Sequence, residues 1–284
     1  MENGSLVAAR FVSYALLLTA AGLPFHAVID RRSRFDRSER LLLAAVAASA
    51  AIASLWWCIA NIAAMAGLPP TQLDRETFFA VLEATPLAAL LKLRLAALGL
   101  ILLLLIARPK PVLLAPIGLL ALASAAWAGH TGAGEGIAGM VLRVSDILHL
   151  GAAALWLGAL LAFSAGIFRR RDEAAALRSL SDFARAGTIL VAVLFASGLA
   201  NAWLISGGIL TPSLWSGLIG LKIGLFAAML GLAAQNRWRL VPAFAAGRPG
   251  AAARLRRSLH LETACGFAIV AVVAMAGQLA PQGA

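Results

Sequence analysis

The sequence predicts an all-α membrane protein: a polytopic bundle of eight transmembrane helices with both termini outside the cytoplasm. Three observations predict it. The 284 residues are 61% hydrophobic and only 13% charged, against about 45–50% and about 25% in soluble domains. The apolar residues fall in runs near the ~20 residues that cross the ~30 Å hydrocarbon core of a bilayer. The arginines cluster in every second connection. This composition excludes an ordinary soluble enzyme and a disordered chain. It also assigns the net charge of +11 to orientation on a membrane rather than to nucleic acid.

The runs are Leu6–Val28, Leu41–Gly67, Thr85–Ala107, Val112–Ala128, Ser145–Phe168, Ala186–Ile205, Leu214–Ala234 and His260–Leu279. Their Ala, Leu, Ile and Val content and their continuity favour helices over the alternating strands of a membrane barrel. The first run reads as a retained helix, because no basic leader precedes it. The fourth is the shortest. Glycine, alanine and serine recur in the runs and let membrane helices approach closely.

Arg31, Arg32, Arg34, Arg37 and Arg40 separate runs one and two, and Arg108 and Lys110 separate three and four. Arg169, Arg170, Arg171, Arg178 and Arg185 lie between five and six, and Arg237, Arg239, Arg248, Arg254, Arg256 and Arg257 between seven and eight. The alternate connections hold only Arg75 and Arg143, with Arg10 near the first run. The positive-inside rule places the rich connections in the cytoplasm. The chain, residues 1–284, reads as a single integral membrane domain in contact with lipid.

No Walker A, Rossmann, HExxH or Gly-x-Ser-x-Gly pattern is present. Gly132, Gly134 and Gly136 follow no strand and read as a flexible outer loop. Cys58 and Cys265 stand alone in apolar runs, which excludes a disulfide framework or a structural zinc site.

Ionisable side chains in a bilayer are costly and mark function or interior pairing. The outer end of the bundle is richest: His130, Glu135, Met140, Arg143, Asp146 and His149. Asp146 and His149 are three apart and share a helix face. A carboxylate there would orient the imidazole through one nitrogen and leave the other for a metal. Imidazole, thioether and carboxylate suit copper better than magnesium or calcium. The competing reading is an interfacial histidine and a hydrogen-bonded helix start.

Cys58, Asn61 and Met65 share a face of the second run. They read either as a soft-ligand path for cuprous ion or as packing. Lys92, Arg94, Lys222 and Glu262 lie inside apolar runs, with Glu83 just before Lys92's run. They are expected to pair inside the bundle or to snorkel to an interface. His26 and His260 fall at the inner end. With the outer two, they read as axial ligands of two b-type haems, as exit ligands for a metal, or as interfacial anchors.

The stretch Trp127-Ala-Gly-His130-Thr-Gly-Ala, followed by Asp146-Ile-Leu-His149-Leu-Gly-Ala-Ala-Ala-Leu-Trp156-Leu-Gly158, resembles the copper resistance D (CopD/PcoD-like) family of inner-membrane proteins. Phe183-Ala-Arg185, Ser197-Gly198, Asn201-Ala202, Lys222-Ile-Gly-Leu-Phe226, Asn236-Arg237, Leu255-Arg-Arg257-Ser and Glu262 fit the same pattern. Residues 127–280 carry these motifs. Glu83-Ala-Thr85-Pro86 running to Arg94 is a looser match, and the first two runs match by hydropathy alone.

The resemblance implies a multi-pass copper homeostasis protein of the bacterial inner membrane, whose termini the positive-inside rule puts on the periplasmic side. It implies copper as the ion moved and a periplasmic CopC-type copper-binding protein as a partner. His130, Asp146 and His149 carry over as copper-site residues, and Trp156 as a motif position with no assigned chemistry. The family's Met-rich outer segments have no counterpart beyond Met140 and Met65. The fold group also resembles haem-containing membrane oxidoreductases of the HemJ type.

Two mechanisms follow. In a permease, copper enters at His130 and His149 with Asp146, Glu135 or Met140, passes Met65 and Cys58, and leaves near His26 or His260. In an oxidoreductase, two haem b groups link the faces and couple copper redox chemistry to a quinone. A transporter is expected ahead of an enzyme. A non-enzymatic delivery partner is a third class without a direct sequence signal.

Overall fold

The computed structural model describes residues 4–128, 136–168, 173–208 and 211–281. Its elements are α1 (Gly4–Ile29), α2 (Arg37–Met65), α3 (Arg75–Ala84), α4 (Leu87–Ile106), α5 (Pro111–Ala123), α6 (Gly136–Phe168), α7 (Glu173–Ile205), α8 (Leu214–Gln235), α9 (Val241–Ala245) and α10 (Ala251–Ala276). A 3-10 turn, Ser124–Trp127, prolongs α5, and a π turn, Asn236–Leu240, joins α8 to α9. Among the described residues, seven helices are long and apolar enough to cross a membrane, and Pro111–Trp127 is a shorter apolar eighth. This is the polytopic helical bundle the composition predicts.

Local chemistry sets the boundaries. Asp36 caps α2, and Glu39 returns the bond to the Asp36 backbone, closing a capping box. Arg32 is paired with both Asp30 and Glu39, which fastens the α1–α2 turn to that cap. Pro111 opens α5, where a missing N–H costs nothing. Ser213 caps α8. The short α3 was not foreseen. Asp74 caps it, and Pro86 separates it from the apolar α4.

The centre of the bundle is α1, which packs on α2, α5, α6 and α10. Leu17, Leu98, Ile101, Leu114 and Leu122 form one buried cluster around it. A second cluster joins α6, α7, α8 and α10 through Trp156, Phe163, Leu194, Met229 and Leu255. A third, of Leu6, Trp57, Ile62 and Leu87, takes in Phe78 and Leu82 of α3. Gly22 of α1 meets Ala154 and Gly158 of α6 backbone to backbone, and Gly118 of α5 meets Ala21. These close crossings are the work expected of small residues in membrane helices. The outer surface carries Leu103, Ile106, Ile189, Phe195, Leu221 and Ile223 exposed, as a lipid-facing band requires.

Among the described residues, arginines at the connections tie neighbouring helices together. Arg40 Nη1 donates to the carbonyl of Leu105, joining the start of α2 to the end of α4. Arg237 Nη1 donates to Thr188 Oγ1 of α7. Arg10 Nη1 of α1 donates to the carbonyl of Gly277 at 2.5 Å. A cation thus meets the carbonyl-rich end of α10, where the helix dipole favours it.

Candidate functional site

Three helices meet around the imidazole of His149. Asp146 and His149 lie on one face of α6, and Ser197 and Asn201, four apart, lie on one face of α7. Gly198 lets α7 come close, since a Cβ there would sit 3.3 Å from His149 Cε1. Ser145 Oγ donates to the carbonyl of Ser197 at 3.2 Å and ties the two helices together. Lys222 of α8 completes the group.

The hydrogen bonds define the imidazole. His149 Nδ1 is 3.0 Å from Ser197 Oγ. The Ser197 hydroxyl donates its own proton to the carbonyl of Val193 at 2.5 Å. Ser197 Oγ must therefore accept, which puts the ring proton on Nδ1 and the lone pair on Nε2. That lone pair faces Lys222 Nζ at 3.5 Å. Asp146 Oδ1 accepts from Asn201 Nδ2 at 3.2 Å, and Asp146 and Lys222 feel one another's charge. Asn201 Oδ1 is buried and finds no donor among the described residues. The group thus presents an imidazole nitrogen and a carboxylate to one lysine, with the Asn201 amide on the carboxylate's other side.

This arrangement corrects one expectation. Asp146 does not orient His149; Ser197 does. Asp146 is turned across the α6–α7 interface to Asn201, and Gly198 brings the α7 hydroxyl directly against the ring. The expected thioether is also set apart: Met140, six residues before Asp146, is 58% exposed. His130 and Glu135 lie outside the described residues. Among the described residues no three His, Cys, Asp or Glu side chains converge as a metal site.

The second-run stripe does not line an interior path. Cys58 is buried and Asn61 donates to the carbonyl of Trp57 in its own helix, but Met65 is 58% exposed. An offset of seven brings Met65 back to the same side of α2, but beyond the level where neighbouring helices cover it. The inner histidines also part. His26 is 4% exposed and packs edge-on against Phe163 and Phe183 at 5.0 and 5.9 Å between ring centres. His260 is exposed. These surroundings do not fit a haem held between His26 and His260.

The intramembrane charges find unequal settings. Lys92 is exposed, five residues into α4, and its stem can carry the amine towards the helix end. Arg94 is 1% exposed. Its Nε donates to Ser124 Oγ at 2.9 Å, and its guanidinium lies 4.6 Å over the Trp57 ring. Glu262 accepts from Trp156 Nε1 at 2.9 Å and from Asn236 Nδ2 at 3.0 Å. Trp156, silent in the sequence, is therefore a hydrogen-bond donor to a buried carboxylate. Ser197 and Asn201 were visible as a polar pair at helical spacing in an apolar run, but nothing local named their partners.

Comparison with known proteins covers the whole chain. The family described as "Copper resistance protein D-like, N-terminal domain" matches residues 1–140, and "Copper resistance protein D" matches residues 177–276. The first two helices, which matched only by hydropathy, thus fall within a family match. Copper resistance protein D of Pseudomonas syringae pv. tomato is 30% identical over 99% of this chain and 98% of its own length. Inner membrane protein YebZ of Escherichia coli (strain K12) is 30% identical over 54% of each. No solved structure matches. With two family matches and a relative similar from end to end, the chain belongs to the copper resistance protein D family.

Proposed function

We propose that the protein serves copper resistance by passing copper ions across the bacterial inner membrane. The arginine-bearing end faces the cytoplasm, and both termini face the periplasm, following the positive-inside rule. Copper enters at the opposite end, where His130 and Glu135 precede α6 in the chain and Met140 lies near its start. A periplasmic copper-binding protein of the CopC type is the donor this reading implies. The ion then reaches His149, Asp146 and Asn201.

The observation that carries this reading is Lys222 Nζ at 3.5 Å from His149 Nε2. The nitrogen lone pair suited to copper is held by an ammonium until a metal displaces it. One cation replaces another, so the charge balance around Asp146 changes little. An ion held against a built-in competitor is bound loosely enough to leave, which conduction requires. Ser197 fixes the tautomer that keeps Nε2 available.

The test is copper uptake into vesicles containing the purified protein. His149→Ala and Asp146→Asn should each reduce uptake by at least about tenfold, the loss of roughly one ligand at 1.4 kcal/mol. The double substitution of His130 and His149 by alanine should abolish it. Full uptake by the double variant would overturn the proposal.

A further inference from the structure

Glu262 is not used by the site above, and its surroundings differ from those of the other buried charges. It is 3% exposed, in the middle of α10. Both carboxylate oxygens are engaged, by Trp156 Nε1 of α6 and by Asn236 Nδ2 at the start of the π turn. Both donors are neutral. The elements packed against α10 carry Arg10, Tyr14 and His26 on α1, Arg143, Asp146 and His149 on α6, Lys222 on α8, and Arg237 and Arg239 on the π turn. α10 itself carries Arg254, Arg256, Arg257, His260 and Cys265. No ion pair to Glu262 is found among the described residues, and both of its hydrogen bonds come from neutral donors. A lone carboxylate without a countercharge in a membrane interior is costly, and such groups mark proton pathways.

Asn236 supplies the second observation. It is 6% exposed, and its Oδ1 finds no donor among the described residues. An amide carries a donor and an acceptor on one planar group. With Nδ2 towards Glu262 it serves a carboxylate. Turned by half a rotation, its Oδ1 serves the O–H of a carboxylic acid, and the orphaned oxygen is satisfied. Asn236 also opens the π turn, a backbone irregularity that frequently accompanies functional sites.

We propose that Glu262 is a proton-binding site, with the Asn236 amide turning between donor and acceptor as the proton arrives and leaves. The proton comes from water, forms an O–H bond at Oε2 and departs by the reverse step; no electron moves. Its passage is linked to copper passage, a link that rests on the transport reading above. The π turn and its Arg237, Trp238 and Arg239 are the part of the fold that senses which state Glu262 holds.

Infrared difference spectroscopy of the full chain in lipid nanodiscs, between high and low pH, tests the site without copper. A carboxylic acid carbonyl band should appear on acidification and be absent in Glu262→Gln. Trp156→Phe, which keeps the acid and removes one donor, should move the band to higher frequency. Persistence of the same band in Glu262→Gln, or an unmoved band in Trp156→Phe, would overturn the proposal. In vesicles, an imposed pH gradient should change copper uptake by the unaltered protein severalfold and leave Glu262→Gln unresponsive. Uptake by the unaltered protein that ignores the gradient would overturn the link. Absence of any copper uptake would defeat the transport reading, while the infrared result would still decide the proton site.

Discussion

Lys222 Nζ stands 3.5 Å from His149 Nε2, so the nitrogen a copper ion needs already faces the lysine amine. If the lysine competes with the metal, removing its charge should strengthen binding and slow release. Lys222→Met is expected to tighten copper binding about tenfold, equivalent to 1.4 kcal/mol, and to lower uptake into vesicles. Competition with a chromogenic chelator measures the first, and flux the second. Weaker binding in the variant would show that the lysine supports the site rather than guarding it.

The tautomer of His149 follows from Ser197, whose hydroxyl proton is committed to Val193. Nitrogen NMR of histidine-labelled protein should show His149 protonated at Nδ1. Ser197→Ala removes one acceptor beside the Leu194 backbone, at a cost of about 1 kcal/mol for one hydrogen bond. The ring should then populate both tautomers, and copper uptake should fall with it. A spectrum unchanged by Ser197→Ala would mean that another group holds the ring.

The eight apolar helices were legible because hydrophobic run length reports the thickness of the bilayer. Their ends were less so. α6, α7 and α10 begin at Gly136, Glu173 and Ala251, well before the apolar runs, because a helix continues past the point where its residues turn polar. The shared face of Asp146 and His149 was legible from spacing alone. Their partners were not, since which face of α7 meets α6 is decided by Gly198 and Ser145 in the folded bundle. Trp156 and Glu262 are 106 residues apart, and no periodicity joins them.

Arg94 is held by shape as well as charge. Its Nε bonds to Ser124 while its plane lies over Trp57, a combination that a lysine cannot reproduce. Arg94→Lys should therefore destabilise the protein by about 2–3 kcal/mol, the scale of a lost charge-assisted hydrogen bond. Arg94→Met, which removes the buried charge but keeps the volume, should cost less than Arg94→Lys. Thermal unfolding in detergent orders the variants. Equal stability of Arg94→Lys and the unaltered protein would place the arginine outside the structural core.

The α1–α6 crossing gives a sharper test, because it contrasts glycines in one chain. A Cβ at Gly22 would run into the Ala154 carbonyl, and one at Gly158 would run into the Gly22 backbone. Backbone cannot move aside as a side chain can, so Gly22→Ala and Gly158→Ala must push the helices apart. Overpacking of this kind costs about 1–3 kcal/mol. At Gly217, Gly220 and Gly224 of α8 a Cβ meets nothing within 4 Å. Alanine there should be neutral or stabilising by about 0.5–1 kcal/mol, the usual difference in helix interiors. The two crossing substitutions share one contact, so their costs should not add. Once Gly22→Ala has separated the helices, Gly158→Ala has less left to displace. Melting temperatures of the two single variants and the double variant measure this coupling. Full additivity would show that each glycine is needed for a separate reason.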